Sequence, residues 1–193
     1  MVSGCTILRP GYGLTTIGLT VMNSTSATVR DATAADIPAI AAIYNEAVVA
    51  TVATMDTEPA SIEKQTAWFN RHGGCFPALV CETGGRVAGW ASLTPWSDRA
   101  AYSRTVEASV YIEKAHQGRG LGSVLLNALV ERATAWDYHV IVAQIAETNS
   151  VSLRLVDSFG FYDVGTLREV GYKFGEWVDV RLLQLTLPCD PNL

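Results

Sequence analysis

The clearest alternation of apolar and polar positions in the chain covers residues 106–112. The even positions of this segment are all apolar, and the odd positions are Glu107, Ser109 and Tyr111, which all carry polar groups. A period of two residues is typical of a β-strand, in which successive side chains point to opposite faces. The pattern therefore predicts a strand with Glu107, Ser109 and Tyr111 on one shared face.

After this strand, a glycine-rich turn opens into a helical pattern. The turn consists of Gln117, Gly118, Arg119, Gly120, Leu121 and Gly122. The apolar residues that recur with the helical period are Leu121, Val124, Leu125, Ala128, Leu129, Ala133 and Trp136. Glycine lets the backbone approach a ligand, and the first N–H groups of a helix are unpaired donors at the positive end of its dipole. The segment predicts an anion site, most often for phosphate; a tight connection that binds nothing is the alternative.

The spacing of the glycines argues against two other phosphate-binding motifs. A dinucleotide fold requires G-x-G-x-x-G with an acidic residue further along the chain, and this spacing does not match it. A Walker loop requires G-K-[ST], which is absent from this turn. The motif present is Q-x-x-G-x-G, from Gln117 to Gly122, after a strand that carries Glu107.

Elsewhere the chain alternates predicted strands and helices. Asp36 is the expected N-cap of a first helix with Pro38 in its first turn, and Ser61 caps a second helix that ends at residues 73–74. Asn149 or Ser150 caps a fourth helix, which Gly160 ends. The remaining segments are predicted strands at residues 28–31, 78–81, 87–94, 140–145, 161–168 and 177–187. We expect strand 140–145 to be covered on both faces, and turns at 84–85 and 171–175, giving an α/β domain with a mixed central sheet.

The composition fits one globular domain. The chain has 193 residues, of which 49% are hydrophobic and 17% charged. A formal net charge of −5 and the lack of a basic stripe argue against nucleic-acid binding. The four cysteines, Cys5, Cys75, Cys81 and Cys189, form no CxxC motif and are expected to be free thiols in a reducing compartment. The three histidines, His72, His116 and His139, are scattered, so we expect no metal site.

Residues 1–26 are predicted to be a poorly structured extension of a single domain at residues 27–193. Their apolar runs are too short and broken for a membrane span, and they show no signal-peptide pattern. Met22 stands shortly before the first predicted strand, so we expect translation to start there. Mass spectrometry of the native N-terminus tests this expectation.

The glycine motif resembles the pyrophosphate loop of the GCN5-related N-acetyltransferases (GNAT), which reads R/Q-x-x-G-x-G/A and holds coenzyme A. The resemblance extends to the branch that acetylates phosphinothricin and methionine sulfoximine, over residues 29–187. Its most specific pieces are PWSDRAAYSRTVEASVYI and GTLREVGYKFGEWVDVRLLQL. The resemblance implies the GNAT fold, with a mixed sheet of about six to seven strands flanked by about four helices, and acetyl-CoA as co-substrate.

The resemblance also implies roles for individual residues. Backbone groups of Val110, Tyr111 and Ile112 would pair with the pantetheine arm like an added strand, and an N–H there would stabilise the oxyanion. The pyrophosphate would be held by Gln117, Gly118, Arg119, Gly120, Leu121, Gly122 and Ser123. Asn149 and Ser158 match positions that touch the coenzyme. Their alternatives are a helix cap for Asn149 and a solvent-facing residue for Ser158.

Glu107 is the candidate general base. Only an unprotonated amine attacks a thioester, and a carboxylate reached directly or through one water removes the proton. The alternative for Glu107 is an ion pair with Arg99 or Arg104. The resemblance implies that one of these arginines binds the substrate carboxylate as a bidentate fork. The expected wall of the substrate site consists of Trp96, Ala100, Ala101, Tyr102 and Ser103.

One position departs from the family pattern. Many acetyltransferases have a tyrosine in the fourth helix that protonates the leaving thiolate, and this branch often has histidine, but Val156 occupies that position. Either Tyr162 or a water supplies the proton, or the thiolate leaves unassisted, which an ordinary thiol pKa of about 8.5 makes tolerable.

We therefore expect a cytoplasmic, homodimeric N-acetyltransferase that moves the acetyl group of acetyl-CoA to the α-amino group of a small amino acid or a toxic analogue by direct attack in a ternary complex. The tail strand with Trp177 is expected to contribute to the dimer interface. The alternatives are acetylation of another amine, such as a protein N-terminus or polyamine, and a non-catalytic acyl-CoA-binding module.

Overall fold

The computed structural model describes residues 27–188, in which seven strands and four α-helices follow one another as the sequence predicts. The strands are β1 Ala27–Asp31, β2 Ala78–Thr83, β3 Arg86–Pro95, β4 Thr105–Ile112, β5 Val140–Ala146, β6 Tyr162–Lys173 and β7 Glu176–Thr186. The helices are α1 Ile37–Ala50, α2 Ile62–Phe69, α3 Leu121–Ala135 and α4 Ser150–Asp157. The expected mixed α/β class is confirmed. The extension at residues 1–26, with Met22 and Cys5, and also Cys189, lie outside the described residues.

All seven strands form one sheet in the order β1-β2-β3-β4-β5-β7-β6. Every neighbouring pair is antiparallel except β4 and β5, which run parallel. This parallel pair is short, because its register covers only Thr105↔Val140, Val106↔Ile141 and Glu107↔Val142. Beyond Glu107 the two strands separate, while β5 stays paired with β7 up to Ala146. The centre of the sheet is therefore split into a wedge.

The helices cover both faces of the sheet. On one face α3 and α4 pack over the main core, which contains Leu125, Leu129 and Val156. On the other face α1 and α2 enclose a smaller cluster built around Ile40 and Trp90. Side chains of β4 divide between the two faces, since Ala108, Val110 and Ile112 join the first cluster and Tyr111 joins the second. This division agrees with the period of two in the sequence. None of the helices in residues 27–188 is long and apolar enough to cross a membrane.

The structure corrects the expected role of the Asp36 side chain. Asp36 occupies the N-cap position of α1, but its carboxylate makes no capping hydrogen bond to that helix. It accepts hydrogen bonds from the backbone N–H and the hydroxyl of Thr33 at 2.8 and 2.9 Å, and it pairs with Arg30 at 2.7 Å. The carboxylate thus ties β1 to the short turn before α1. Ser61 and Asn149 cap α2 and α4 as expected, by accepting from Lys64 N and Ser152 N.

The C-terminal hairpin also differs from the expectation. The predicted strand at 161–168 continues to Lys173, and the turn that follows lies at Phe174 and Gly175, both with positive φ. The pairing of β6 with β7 shifts register twice, between Asp163 and Gly165 and between Leu167 and Gly171. Each bulge inserts unpaired residues and breaks the period of two, so the sequence pattern of a single long strand is lost. The tight turn at Gly84 and Gly85 has φ values of 58° and 74° and matches the prediction.

Candidate active site

A cavity of about 430 Å³ fills the wedge between β4 and β5. Residues 107–111 of β4 and residues 143–146 of β5 form its two sides. The loop 52–56 after α1 closes it on one face of the sheet, together with Leu167 and Val170 of β6. On the other face it reaches Asn149, Leu155 and Val156 at α4. Because the two strands separate at Glu107, this side chain stands where the wedge begins.

Glu107 is held in the wedge by a side chain of the opposite strand. The amide Nε2 of Gln144 on β5 donates to Glu107 Oε1 at 2.9 Å. Burial raises the pKa of Glu107 above its ordinary value, and the hydrogen bond from Gln144 partly opposes the rise. Among the described residues Glu107 forms no ion pair, so the alternative of a pair with Arg99 or Arg104 is not observed. A half-buried carboxylate with a raised pKa is suited to proton transfer near neutral pH.

Tyr111 lines the cavity beside Glu107, and three other aromatic residues form a cluster with its ring. The Tyr111 ring stacks on Trp90 with centroids 4.7 Å apart, and it meets Tyr44 edge to face at 5.3 Å. Its hydroxyl points to the carbonyl oxygen of Ala53 at 3.4 Å. Burial raises the pKa of Tyr111 well above its usual value, so the phenol is neutral. The same cluster includes Trp68, whose ring lies 5.1 Å from Trp90.

The glycine turn after β4 has the geometry of an anion cradle. Gly118 and Gly120 have φ values of 74° and 79°, and a Cβ on either would meet nothing within 4 Å. The first amide of α3 that donates to a backbone carbonyl is that of Val124, to Gly120 at 3.2 Å. Within the described chain, the N–H groups of residues 118–123 donate no hydrogen bond. These free donors surround open space, and this arrangement fits a pyrophosphate.

Two side chains of the turn stabilise it by donating hydrogen bonds to nearby backbone carbonyl groups. Gln117 Nε2 donates to the carbonyl oxygen of Ile112 at 3.1 Å, and Arg119 donates to that of Ala115 at 3.0 Å. Glu46 of α1 accepts from the Lys114 N–H at 3.1 Å just before the turn. The edge of β4 that faces β5 is unpaired over residues 110–112 within the described chain. Backbone groups at that edge, apart from the Ile112 carbonyl that accepts from Gln117, are available to an extended ligand.

The two coenzyme-binding candidates at α4 lie in different environments. Asn149 lines the cavity and caps α4 through Oδ1, which accepts from Ser152 N at 3.2 Å. Ser158 is exposed, does not line the cavity, and donates to the carbonyl oxygen of Leu155 at 2.6 Å. Val156, at the fourth-helix position where many acetyltransferases have a tyrosine, is buried and lines the cavity. Tyr162 lies on the exposed strand β6, where its hydroxyl meets Thr186 Oγ1, outside the cavity lining.

The loop between β3 and β4, which carries the expected substrate residues, lies away from the cavity. Among the lining residues there is none of Trp96, Arg99, Ala100, Ala101, Tyr102, Ser103 or Arg104. The guanidinium of Arg104 pairs with Asp137 at 2.9 Å. Arg99 is exposed, and its side chain forms no ion pair within residues 27–188. The loop precedes the paired start of β4, whereas the wedge opens toward the end of that strand.

Sequence reasoning missed several residues of the cavity. Gln144 interrupts the expected apolar run of β5 and is exposed, so the expectation that this strand is covered on both faces is wrong at this position. A polar residue inside a buried strand was the available signal. The loop 52–56 and the pair Leu167 and Val170 belong to no recognisable sequence motif. They line the cavity only because the fold brings them next to it. The charged residues of the described lining are both acidic, Asp56 and Glu107.

Comparison with known proteins identifies the family to which the chain belongs. A model of the acetyltransferase (GNAT) domain matches residues 29–182. The chain is 43% identical over 171 residues to an L-methionine sulfoximine/L-methionine sulfone acetyltransferase of Pseudomonas paraeruginosa, covering 86% of this chain and 97% of the relative. The chain therefore belongs to the GNAT acetyltransferase family, and the expectations of a GNAT fold and of an acetyltransferase are confirmed.

Two solved structures share this fold closely. A GNAT superfamily phosphinothricin acetyltransferase from Sinorhizobium meliloti, in complex with acetyl-CoA, has a TM-score of 0.83 at 34% identity and covers 86% of this chain and 91% of its own. A ribosomal-protein-alanine N-acetyltransferase from Brucella melitensis has a TM-score of 0.80 at 40% identity, and the match covers 82% of this chain and 99% of that one. The names of these two enzymes point to different acceptor amines, so the family alone does not define the acceptor of this chain.

Proposed function

We propose that this enzyme transfers the acetyl group of acetyl-CoA to the α-amino group of a small amino acid or a toxic analogue of the phosphinothricin or methionine sulfoximine type. The observation that carries the proposal is the wedge itself. It brings the Glu107 carboxylate and the free edge of β4 to one cavity, and the open glycine turn follows shortly after that strand in the chain. The names of the relatives support the amino-acid acceptor.

The residues around the wedge fit acetyl-CoA. The free N–H groups of residues 118–123 would hold the pyrophosphate, and the edge of β4 at Val110, Tyr111 and Ile112 would pair with the pantetheine arm. The Asn149 amide nitrogen, which donates no hydrogen bond within the described residues, is available beside that arm. Ser158 would act from outside the cavity at the end of α4. The bound coenzyme would supply the acetyl group as a thioester.

Glu107 would act as the general base. An α-amino group has a pKa of about 8 in a peptide and a higher one in a free amino acid, so most of it is protonated at neutral pH and must lose a proton before it attacks. One oxygen of Glu107 is occupied by Gln144, and the other is free to accept this proton directly or through a water. The stacked ring of Tyr111 shields the site from water on the α1 side. Direct attack of the amine in a ternary complex then needs no covalent enzyme intermediate.

The acceptor's carboxylate requires a cation that the described lining of one chain does not supply. We therefore include in the proposal a homodimer in which the loop 96–104 of a second copy completes the site. Arg99 is the better candidate for the carboxylate, because Arg104 is engaged by Asp137. Exposed apolar side chains of the β6–β7 hairpin, including Val164, Phe174 and Trp177, favour self-association. We place the enzyme in the cytoplasm, where Cys75 and Cys81 would stay reduced.

A second candidate acceptor is an amine without a carboxylate, such as a polyamine or a protein N-terminus. The absence of a cation from the cavity lining in residues 27–188 favours it, and so does the pair of acids Asp56 and Glu107. A thiol-release assay separates the candidates over a panel of free amino acids, phosphinothricin, methionine sulfoximine, peptides and polyamines. Turnover only with peptides or polyamines would refute the amino-acid acceptor.

The base assignment and the composite site have separate tests. Glu107→Gln should lower turnover at least about a hundredfold while calorimetry still detects acetyl-CoA binding. Retained turnover would remove Glu107 from the chemistry.

If Arg99 acts across the dimer, a mixture of the inactive variants Glu107→Gln and Arg99→Ala should regain about one quarter of the active sites, because each mixed dimer then carries one intact site. If the mixture recovers no activity, either both residues act within the same chain or Arg99 has no role in the site.

A further inference from the structure

The loop 52–56 forms one wall of the cavity, and side chains from three different elements hold it. Tyr44 of α1 donates to Asp56 Oδ2 at 2.8 Å. Tyr111 of β4 donates to the carbonyl oxygen of Ala53 at 3.4 Å. Lys173, the last residue of β6, donates from Nζ to the carbonyl oxygen of Thr54 at 2.7 Å. The third contact is the shortest of these and joins residues that are far apart in the chain.

Lys173 is an unusual residue to find at this position. It is only 4% exposed, whereas lysine side chains rarely leave water unless they gain a partner. Its ammonium lies 5.1 Å from the centre of the Phe174 ring, and its hydrogen bond goes to a backbone carbonyl. Lys173 is not among the residues that line the cavity. Desolvation of a charge is costly, and the hydrogen bond to Thr54, the ring of Phe174 and the charge of Asp56 offset this cost.

A second contact joins the same two segments two residues earlier on β6. A Cβ added to Gly171 would lie 2.7 Å from Met55 Sδ, so the Met55 side chain rests on the bare backbone of β6. Met55 of the loop lines the cavity, and so do Leu167 and Val170 of β6. Loop 52–56 and the end of β6 therefore form one unit. That unit presents the apolar surface of the cavity opposite β4.

We propose that Lys173 is a positioning residue: by holding the carbonyl group of Thr54, it sets the place of the wall against which the acceptor's side chain packs. This inference rests on the proposed function, because it assumes that the acceptor amine enters the wedge on the side of loop 52–56. The wall carries Met55, Leu167 and Val170, so it suits an acceptor with an apolar or thioether-sized side chain.

The test compares Lys173→Met with Lys64→Met. Methionine keeps most of the length of lysine and removes the donor. Lys64 is the matched control, because its Nζ reaches the same loop at Asp56 Oδ2, at 3.4 Å, from a side chain that is 65% exposed. We expect Lys173→Met to raise KM for the acceptor about tenfold and to leave KM for acetyl-CoA and kcat within about twofold. Lys64→Met should change none of the three.

Gly171→Ala provides an independent variant, because its Cβ displaces Met55 without touching Lys173. It should raise KM for the acceptor in the same selective way. Hydrogen–deuterium exchange adds a readout that needs no substrate: the amides of residues 52–56 should exchange faster in Lys173→Met, while those of β4 and β5 keep their wild-type rates. A loss of kcat with an unchanged acceptor KM, or faster exchange across the whole sheet, would show a general structural role and overturn the proposal.

The proposed function can fail independently of this inference. If wild-type enzyme acetylates no free amino acid in the panel, the acceptor assignment is wrong, and the same KM comparison is made with the amine that is accepted. An unchanged KM for that amine together with unchanged exchange in loop 52–56 would then refute the role of Lys173.

Discussion

At the scale of single residues, the candidate chemistry depends on how one carboxylate is held. Glu107 sits where β4 and β5 separate, and Gln144 binds one of its oxygens. Burial favours the neutral acid and the hydrogen bond favours the ionised form, so both effects determine the pH at which the proposed base is ionised. Gln144 acts through Glu107 and is a positioning residue in this arrangement.

Removal of the Gln144 amide should therefore change the pH profile. In Gln144→Leu the hydrogen bond that stabilises the ionised form is lost, so the pKa of Glu107 rises further and the acid limb of kcat/KM moves to higher pH. We expect kcat/KM to fall about fivefold on the acid side of the profile and much less at alkaline pH. Gln184→Leu is the control, because Gln184 on the neighbouring strand β7 bonds Tyr162 instead. A pH profile that does not move would show that Gln144 has no influence on the base.

The glycine turn gives a second prediction at this scale. Gly120→Ala places a side chain in the left-handed region and in the open space of the anion cradle. We expect the dissociation constant for acetyl-CoA, measured by calorimetry, to rise about tenfold. Gly85→Ala is a matched control, because Gly85 has a φ of 74° and equally open surroundings but lies in the β2–β3 turn. Equal weakening by both variants would indicate a loss of fold rather than of the cradle.

At the scale of secondary-structure elements, β1 and α1 are joined by a charged pair. The Arg30 guanidinium is the main reason that the pKa of Asp36 is lowered to about 2, and the bonds from Thr33 add to the effect. A carboxyl group with a depressed folded-state pKa stabilises the protein above its unfolded pKa, and this stability is lost as pH falls toward the folded value. The contribution should thus be complete at neutral pH and disappear between about pH 4 and pH 2.

Asp36→Asn tests this junction. We expect a loss of about 2 kcal/mol in the free energy of unfolding at pH 7, because a buried charge-assisted network is broken. Urea titrations at a series of pH values should show the gap between wild type and variant closing in acid. Asp31→Asn is the control, since its pair with Arg132 at 3.0 Å is exposed and contributes less than about 1 kcal/mol. A gap that stays constant down to acid pH would contradict the linkage.

At the scale of the whole molecule, the β6–β7 hairpin is the most apolar exposed region among the described elements. Its exposed apolar side chains are Tyr162, Val164, Leu167, Val170, Tyr172, Phe174 and Trp177. Monomeric proteins rarely leave such a continuous apolar surface in water. The proposed homodimer would cover it.

Light scattering provides the test of assembly. We expect wild-type protein to have about twice the chain mass of 20.8 kDa, and Trp177→Glu to have the mass of one chain. Trp177 is 64% exposed on the hairpin. Val151→Glu is the control, because Val151 is equally exposed, at 67%, but lies on α4. A wild-type mass of one chain would refute the homodimer and, with it, the composite substrate site.

Much of the architecture is visible in local patterns. The alternation around Glu107 and the period of the helix after Gly120 are set by nearest neighbours, so both were predictable. The hairpin at Gly84 and Gly85 was predictable for the same reason, because two adjacent glycines favour that turn. The two bulges of β6 were not predictable, because they depend on the pairing of β6 with β7.

The sequence alone determined the order of strands and helices, the glycine cradle and the face of β4 that carries Glu107, because each follows from spacing within a few residues. Only the tertiary structure decided how far β4 and β5 stay paired, and therefore where the cavity lies. It also decided that Gln144 meets Glu107, that Lys173 reaches Thr54 across more than half of the chain, and that the loop 96–104 lies away from the cavity of its own chain. Contacts between distant segments depend on sheet order and register, which no local pattern contains.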